Sequence, residues 1–192
     1  MCRNIRLDGE NVYLEEIHPK YFGYIIEWRN NKENNKFLNQ PYVLNLELQN
    51  EWYRNIYLKD RAQGFLVAIS KKNDEPFATI GWTDYNAIER SCICGRLLVG
   101  NKNYRGSSCW NEAVTLLNKY LYEVLKVGIT YAHVSIENIP SIKWHEKWGF
   151  KKNDSFKYME ERIVNGMIQE EYYRTYEMYL NLLKMKQKEH FY

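Results

Sequence analysis

A short apolar run that leads into a polar loop with glycines, and then into a helix, can bind a phosphate group. Residues 97–108 have this form, and they enter the most regular helical pattern of the chain. The N–H groups of a helix's first turn point outward, the helix dipole favours negative charge, and glycine lets an anion approach closely. The alternative is a plain loop in which Gly106 precedes a serine cap. We expect an anion cradle formed by Arg105, Gly106, Ser107 and Ser108.

A second polar segment, residues 138–150, follows the next strand-like run along the chain. Its Pro140 predicts the start of a short helix, because proline is common in the first turn. The segment also contains His145, and the ordinary pKa of a histidine side chain is close to neutral pH. A histidine of this kind can donate a proton in catalysis.

Together the two segments resemble the acyl-CoA core of the GNAT N-acetyltransferase superfamily. The family's loop pattern, Gln/Arg-x-x-Gly-x-Gly/Ala, corresponds to Asn103, Gly106 and Ser108, and the Thr-Glu-Ala that follows in many members corresponds to residues 111–113. The second family signature is Asn-x-x-Ser/Ala-x-x-x-Tyr-Glu-Lys-x-Gly-Phe. It is matched by Asn138, Ser141, Glu146, Lys147, Gly149 and Phe150. The order and spacing of the pair make the resemblance specific, and it covers roughly residues 65–179.

The resemblance implies an α/β (α+β) fold, in which one domain over residues 1–192 is built on a mixed, mostly antiparallel sheet flanked by helices. The fourth and fifth strands, Arg90–Val99 and Thr130–Ile136 in this chain, are expected to splay apart. The pantetheine arm of acetyl-CoA, or of a somewhat larger acyl-CoA, would enter that gap and pair with a strand edge. No metal is expected. The residues implied to bind the CoA are Leu98 and Val99 at the edge, Arg105 to Ser108 in the cradle, and Asn138, Ser141 and Lys147.

Two positions depart from the family pattern. Ser108 stands where the family prefers glycine or alanine, which keeps the main-chain N–H and adds a hydroxyl near the ligand. His145 stands where many members have the tyrosine that protonates the departing CoA thiolate. Because an imidazolium can supply that proton, His145 is the expected catalytic acid. The alternative is that His145 only packs on the short helix.

The amine that attacks the thioester must be neutral, and the sequence offers several bases for it. No glutamate lies in the middle of Arg90–Val99, where a base could project from the strand. The candidates are Asp84 at the end of a predicted strand, His133, Glu137 and a chain of water molecules. We take Asp84 as the expected catalytic base, beside the alternative that it is a turn residue.

The nature of the acceptor is suggested by Trp28, Arg29 and Asn30, near the end of the first predicted helix. This triplet resembles a Trp-Arg-Asn signature in GNAT members that N-acylate nucleotide-linked amino sugars for surface glycans such as lipopolysaccharide. Trp28 could stack on a ring, Arg29 could pair with a phosphate bidentately, and Trp82 could add an aromatic contact. Trp28 also lies on the apolar face of its helix, so the core is the alternative place for it. The resemblance implies a dTDP- or UDP-linked aminodeoxysugar as the substrate.

Other functions stay open at this point. Residues 125–178 also resemble spermidine and ribosomal-protein acetyltransferases, which suggests polyamine, aminoglycoside or protein N-terminal acetylation. A polycation would require an acidic groove, and the acidic residues of the first helices are mixed with basic ones. A further alternative is a catalytically silent sensor of acyl-CoA, because the family tyrosine and the strand glutamate are both missing.

The hydrophobic patterns predict the elements that must position these residues. Helices are predicted after Pro19 and over Leu46–Leu58, Ser107–Leu125 and Pro140–Trp148. Strands are predicted at Val12–Leu14, Gly64–Ser70, Phe77–Asp84, Arg90–Val99 and Thr130–Ile136, with a terminal hairpin at Asn165 and Gly166.

The composition narrows the class of protein. The 192 residues contain 27 Lys or Arg against 24 Asp or Glu, a net charge of +3, which argues against a nucleic-acid-binding protein. Without a targeting signal or an apolar run of about 18 residues, we expect a cytoplasmic protein that does not contact membranes.

Cys92 and Cys94 are expected to be buried on one face of a strand rather than to bind a metal. A homodimer through the terminal hairpin is a further expectation.

Overall fold

The computed structural model describes residues 4–38, 40–156 and 168–189 and arranges them around one eight-stranded sheet. The hairpin predicted at Asn165 and Gly166 lies outside these residues. The strands are β1 Arg6–Asp8, β2 Val12–Glu16, β3 Gly64–Ser70, β4 Glu75–Asn86, β5 Ser91–Val99, β6 Ile129–Ser135, β7 Lys151–Lys152 and β8 Gln169–Thr175. The helices are α1 Phe22–Asn30, α2 Lys32–Asn35, α3 Leu46–Trp52, α4 Ser108–Lys119, α5 Ile139–Lys147 and α6 Tyr176–Glu189.

The strand order in the sheet is β1-β2-β3-β4-β5-β6-β8-β7. Every neighbouring pair is antiparallel except β5 and β6, which are parallel. Parallel neighbours need a crossover connection, and α4 supplies it. The predicted mixed, mostly antiparallel sheet with one long crossover helix is therefore confirmed.

Each face of the sheet packs against its own hydrophobic core. On one face, here called the α1 face, Phe22 and Ile25 of α1 pack with Phe65, Val67 and Ile69 of β3. On the opposite face, the α4 face, Leu66 and Ala68 of β3 pack into a larger core. Since successive residues of a strand point to opposite faces, β3 must be apolar throughout, which explains its continuous apolar sequence. The larger core also contains Trp110, Leu117, Trp148 and Tyr179.

The expected splay is present between β5 and β6. The two strands pair only from Ser91–Ile93 to Ile129–Tyr131, and beyond that point their edges face an open gap. A bulge bends β5 there: its register against β4 shifts between Thr79 and Gly81, and Arg96 has a φ of 56°. Thr79 stabilises the bulge by donating its hydroxyl hydrogen to the carbonyl oxygen of Arg96, at 2.8 Å.

The sequence patterns did not predict β1, α2, β7 and α6. β1 adds an edge strand, so the splayed strands are the fifth and sixth of the structure rather than the fourth and fifth. The C-terminal α6 places Tyr176, Tyr179, Leu182 and Leu183 against the α4-face core. Their spacing of three and four residues is the helical signal, and the many charged residues between them concealed it.

Among the helices of the described segments, none has the length and apolarity needed to cross a membrane. Cys92 and Cys94 are buried, as expected, and burial raises the pKa of the Cys94 thiol to about 11. Thiols in such surroundings are inert small apolar side chains.

Candidate active site

Leu98 and Val99, the residues predicted to pair with pantetheine, lie at the edge of β5 along the gap. Leu98 and Val99 lie in the part of β5 that pairs with β4 on one side and has no pairing to β6 on the other. An extended ligand can therefore add to this edge as a further strand would. The structure places both residues as the sequence predicted, next to the loop that leads into α4.

That loop presents free main-chain donors at its end. Ser107 caps α4: its hydroxyl accepts from the N–H of Trp110 at 3.2 Å and donates to the carbonyl oxygen of Tyr104 at 2.8 Å. In the described part of the chain, the N–H groups of Gly106, Ser108 and Cys109 donate no hydrogen bond. Such N–H groups at the N-terminus of a long helix are suited to bind an anion.

Gly106 has the conformation and the open surroundings that a phosphate cradle requires. Its φ of 70° is in the left-handed region, and a Cβ built on it would meet no protein atom within 4 Å. The space in front of the loop is thus available to a ligand rather than filled by the protein.

The cradle is tied to the N-terminal helices. Arg105 donates to the Asn34 side-chain oxygen at 2.8 Å, and the ammonium of Lys102 lies 2.6 Å from the carboxylate of Glu33. Because the partner of Arg105 is a neutral amide, its guanidinium keeps a net positive charge beside the cradle.

The N-terminus of α5 is organised by Asn138 and Ser141. The side-chain oxygen of Asn138 caps the helix by accepting from the N–H of Ser141 at 3.3 Å. Both residues follow the end of β6 that does not pair with β5, so they lie at the gap; that they contact pantetheine stays a prediction. Lys147 is exposed at the other end of α5, so the structure does not bring it together with them.

His145 lies in the protein core, and its surroundings do not suit the role of catalytic acid that the sequence predicted for it. It is 3% exposed, its ring packs edge-on against Phe150, and its Nδ1 is 2.8 Å from the carbonyl oxygen of Ser141. Because a carbonyl can only accept, Nδ1 carries the proton and the neutral ring leaves Nε2 as an acceptor. Burial lowers the pKa of His145 to about 4, so roughly one molecule in a thousand carries an imidazolium at pH 7.

Replacing His145 with phenylalanine is expected to change turnover by no more than about threefold. The phenyl ring keeps the packing, and removal of a true general acid would cost about 100-fold or more. Steady-state rates at saturating substrates, with CoA affinity measured in parallel, check this expectation. A loss of about 100-fold with intact CoA binding would restore His145 as the acid.

The expected base, Asp84, is separated from the gap by β5. It is exposed on β4, has a φ of 54°, and lies beside the paired ends of β5 and β6. His133 is instead on the splayed part of β6, with its Nε2 3.0 Å from a carboxylate oxygen of Glu171. Glu171 also accepts from the side chain of Asn153 at 2.8 Å. The geometry thus replaces Asp84 by His133, oriented by Glu171, as the candidate base.

Two of the expected substrate contacts are core residues. Trp28 is buried and covers Gly100 at the end of β5, where a Cβ would come within 2.0 Å of the indole. Trp82 is 1% exposed and packs against Tyr120. Neither ring has a free face for stacking on a base or sugar, so the expectation that they contact the substrate is wrong.

Asn30 holds a loop rather than facing a ligand. Its side-chain nitrogen donates to the carbonyl oxygen of Leu44 at 2.7 Å, and its oxygen accepts from the N–H of Leu44 at 2.8 Å. This pair fixes the chain around Gln40, which is 3% exposed. Gln40 in turn accepts from Nε of Arg29 at 2.6 Å.

Arg29 is the residue of the triplet that remains available to a ligand. Its terminal nitrogens have no hydrogen-bond partner in residues 4–38, 40–156 and 168–186, and burial lowers the pKa of its guanidinium. Across those same residues, the structure contains no group of three or more His, Cys, Asp or Glu arranged to hold a metal ion.

Known proteins resemble this chain in sequence and in fold. A model of the acetyltransferase (GNAT) domain matches residues 11–151. The chain is 26% identical over 143 residues to acetyltransferase PseH of Campylobacter jejuni, covering 74% of this chain and 84% of PseH. The spermidine N-acetyltransferase of Vibrio cholerae, solved with CoA and spermine, has a TM-score of 0.74 at 19% identity, covering 90% of this chain and 99% of that one. Apo FdhC, a nucleotide-linked sugar GNAT, has a TM-score of 0.73 at 17% identity, covering 93% of this chain and 94% of that one.

The match to the family model spans the splayed strands, the cradle and α5. These are the parts in which the sequence motifs and the geometry agree. The chain belongs to the GNAT family and is an acyl-CoA-dependent N-acetyltransferase.

Proposed function

We propose that this N-acetyltransferase transfers an acetyl or somewhat larger acyl group from acyl-CoA to the amine of a nucleotide-linked aminodeoxysugar, in surface-glycan biosynthesis. The observation that carries the proposal is the state of Arg29. Buried Gln40 orients its guanidinium, and no ion pair to it forms between described side chains. A guanidinium in this state keeps its charge and its donors for a phosphate. The fold likeness to FdhC, by its title a nucleotide-linked sugar GNAT, is consistent with this acceptor.

In this proposal the chain binds acyl-CoA at the splay. The pyrophosphate lies on the N–H groups of Gly106, Ser108 and Cys109, beside Arg105, and the pantetheine pairs with β5 at Leu98 and Val99. This arrangement brings the thioester to the bulge, where main-chain N–H groups can polarise its carbonyl. Hydrogen bonds aimed at the developing oxyanion lower the barrier to acyl transfer.

The reaction is a direct transfer. The neutral amine nitrogen forms a bond to the thioester carbon, the carbon–sulfur bond breaks, and the CoA thiolate leaves. His133, held by Glu171 at 3.0 Å, accepts the proton that the amine loses. Because His145 is neutral in the core, the thiolate takes its proton from water.

A polyamine acceptor is less compatible with the α1 face. Both Arg29 and Arg96 direct positive charge to this side of the sheet, and Arg96 packs over the rings of Trp52 and Phe65 there. A polycation would be repelled by these groups, whereas an anionic acceptor would be attracted. The likeness to the Vibrio cholerae enzyme is one of fold.

The proposal is tested by thiol release from acetyl-CoA with a panel of acceptors: UDP- and dTDP-linked aminosugars, spermidine, an aminoglycoside and a basic peptide. We expect release with the nucleotide-linked aminosugars alone, and Arg29→Ala should raise their KM about tenfold without changing the KM of acetyl-CoA. Arg29→Lys keeps the charge but loses the planar guanidinium that binds a phosphate through two hydrogen bonds. Its KM for these sugars should therefore lie between that of the unmodified chain and that of Arg29→Ala.

Release with spermidine alone would overturn the proposal. If acetyl-CoA gives no release with any acceptor, the panel is repeated with hydroxybutyryl-CoA. If neither acyl-CoA releases thiol while the chain still binds CoA, an acyl-CoA sensor would be favoured instead.

A further inference from the structure

Two arginines on the α1 face share an unusual kind of partner. Each is oriented by a buried glutamine: Gln40 accepts from Arg29, and Gln63 accepts from the terminal nitrogen of Arg96. The glutamines are themselves anchored, since Gln40 donates to the carbonyl oxygen of Tyr42 at 3.1 Å and Gln63 donates to the carboxylate of Asp60 at 2.8 Å. A neutral amide positions a guanidinium without cancelling its charge.

The guanidinium of Arg96 has unused hydrogen-bond donors beside two aromatic rings. It lies at the bulge of β5, and its guanidinium carbon is 5.2 Å from the ring centre of Trp52 and 5.0 Å from that of Phe65. Its Nε is buried and has no partner, and the bond to Gln63 is the single hydrogen bond that its guanidinium donates in the described part of the chain. Buried donors without a partner are rare in proteins and call for a ligand or another explanation.

The charges around Arg96, including that of Arg29, affect the pKa of its guanidinium. Burial is the main cause that lowers the pKa of Arg96 to about 10, and the positive charge of Arg29 lowers it further, while Tyr57, Asp60 and Asp84 act in the opposite direction. Neither guanidinium forms an ion pair with a carboxylate in residues 4–38, 40–156 and 168–186. A partly desolvated guanidinium without an ion-pair partner is unfavourable unless an anion binds to it.

We propose that Arg96, together with Arg29, forms a subsite that binds the diphosphate group of the acceptor. This inference rests on the proposed function, and it adds a residue that the Trp-Arg-Asn resemblance does not contain. A diphosphate offers two phosphoryl groups, so each guanidinium can engage one of them with its remaining N–H donors. The subsite lies across β5 from the gap that receives acyl-CoA, so the two ligands can be bound together.

The test measures binding of uridine diphosphate and of inorganic pyrophosphate to the full chain by calorimetry. Saturating CoA is present, so that the cradle at Gly106 is already filled. The unmodified chain should bind both probes, and uridine should bind far more weakly. Arg96→Met should raise both dissociation constants about 30-fold, and Arg96→Lys should raise them less. Arg54→Met removes the same charge from an exposed position and should stay within twofold.

Arg96→Gln provides a second variant in case Arg96→Met unfolds. Its neutral amide can still donate a hydrogen bond but removes the charge, so binding of both probes should weaken as with Arg96→Met. Binding of pyrophosphate within twofold of the unmodified chain in the folded variants at Arg96 would overturn the inference. So would the failure of the unmodified chain to bind either probe.

The outcomes separate this inference from the proposed function. If the chain binds both probes through Arg96 but acylates no nucleotide-linked aminosugar, the subsite is supported and the proposed function is contradicted. If it acylates such a sugar and Arg96→Met leaves the KM of the sugar unchanged, the function stands and the subsite falls.

Discussion

Gly106→Val should weaken acetyl-CoA binding about 100-fold. Gly106 has a φ of 70°, a conformation that costs a β-branched residue about 1–2 kcal/mol. A Cβ built on Gly106 would meet no protein atom within 4 Å. An added isopropyl group would therefore occupy the space in which we expect the pyrophosphate to bind. The dissociation constant of CoA, measured by calorimetry, checks the expectation.

Gly106→Ala is the matched control for this variant. It shares the backbone cost but adds a single carbon, so it should weaken CoA binding about tenfold. The Tm of both variants should fall by a similar amount, about 2–8 °C, because they share the backbone cost of about 1–2 kcal/mol and the substituted side chain meets no protein atom. Binding of CoA to Gly106→Val within about threefold of the unmodified chain would remove the cradle from residues 105–108.

Arg174→Met should lower the free energy of unfolding by about 3 kcal/mol, which corresponds to roughly 6–12 °C in Tm for a chain of this length. Arg174 is 1% exposed on β8, and its guanidinium donates to the carbonyl oxygen of Trp148 at 2.8 Å and to the side-chain oxygen of Asn118. It thereby joins β8, α4 and the chain after α5. Methionine would leave both oxygens unpaired in the core, at about 1–3 kcal/mol each.

Two further variants show whether the geometry or the charge of Arg174 matters. Arg174→Lys keeps the charge but cannot serve the separate acceptors, so it should destabilise the fold nearly as much. Arg90→Met removes an exposed arginine that donates one hydrogen bond to the carbonyl oxygen of Lys126, and it should cost less than about 1 kcal/mol. Equal losses for Arg174→Met and Arg90→Met in urea denaturation would contradict the bridging role.

The CoA side of the site could be predicted from the sequence because its features are local. A strand, a glycine at positive φ, a serine cap and the first turn of α4 follow one another within residues 97–108. Capping and backbone freedom depend on neighbours along the chain, so residue types and spacing carry this information. The motif also pointed to Asn138 and Ser141 at the start of α5, and the structure adds that the side-chain oxygen of Asn138 accepts from the N–H of Ser141.

The acceptor side depends on residues far apart in the sequence. The motif around Trp28 and Asn30 suggested ligand contacts, but Trp28 covers Gly100 and Asn30 holds Leu44. Arg96 was not predicted as a binding residue, because an arginine in an apolar strand does not by itself indicate which groups surround it. Its role became visible only through Gln63, 33 residues away, and through the rings of Trp52 and Phe65.

The sequence by itself determined the family, through the resemblance of two local motifs, and the mixed sheet, and it predicts the anion cradle, because motifs, periodicity and capping act over a few residues. The tertiary structure alone decided the state of the ionisable groups. Burial makes His145 a neutral core residue, the register of β6 and β8 brings His133 to Glu171, and a buried glutamine leaves Arg29 its charge. A pKa and a free hydrogen bond depend on everything that surrounds a group in three dimensions, and residues distant in the sequence supply most of those surroundings.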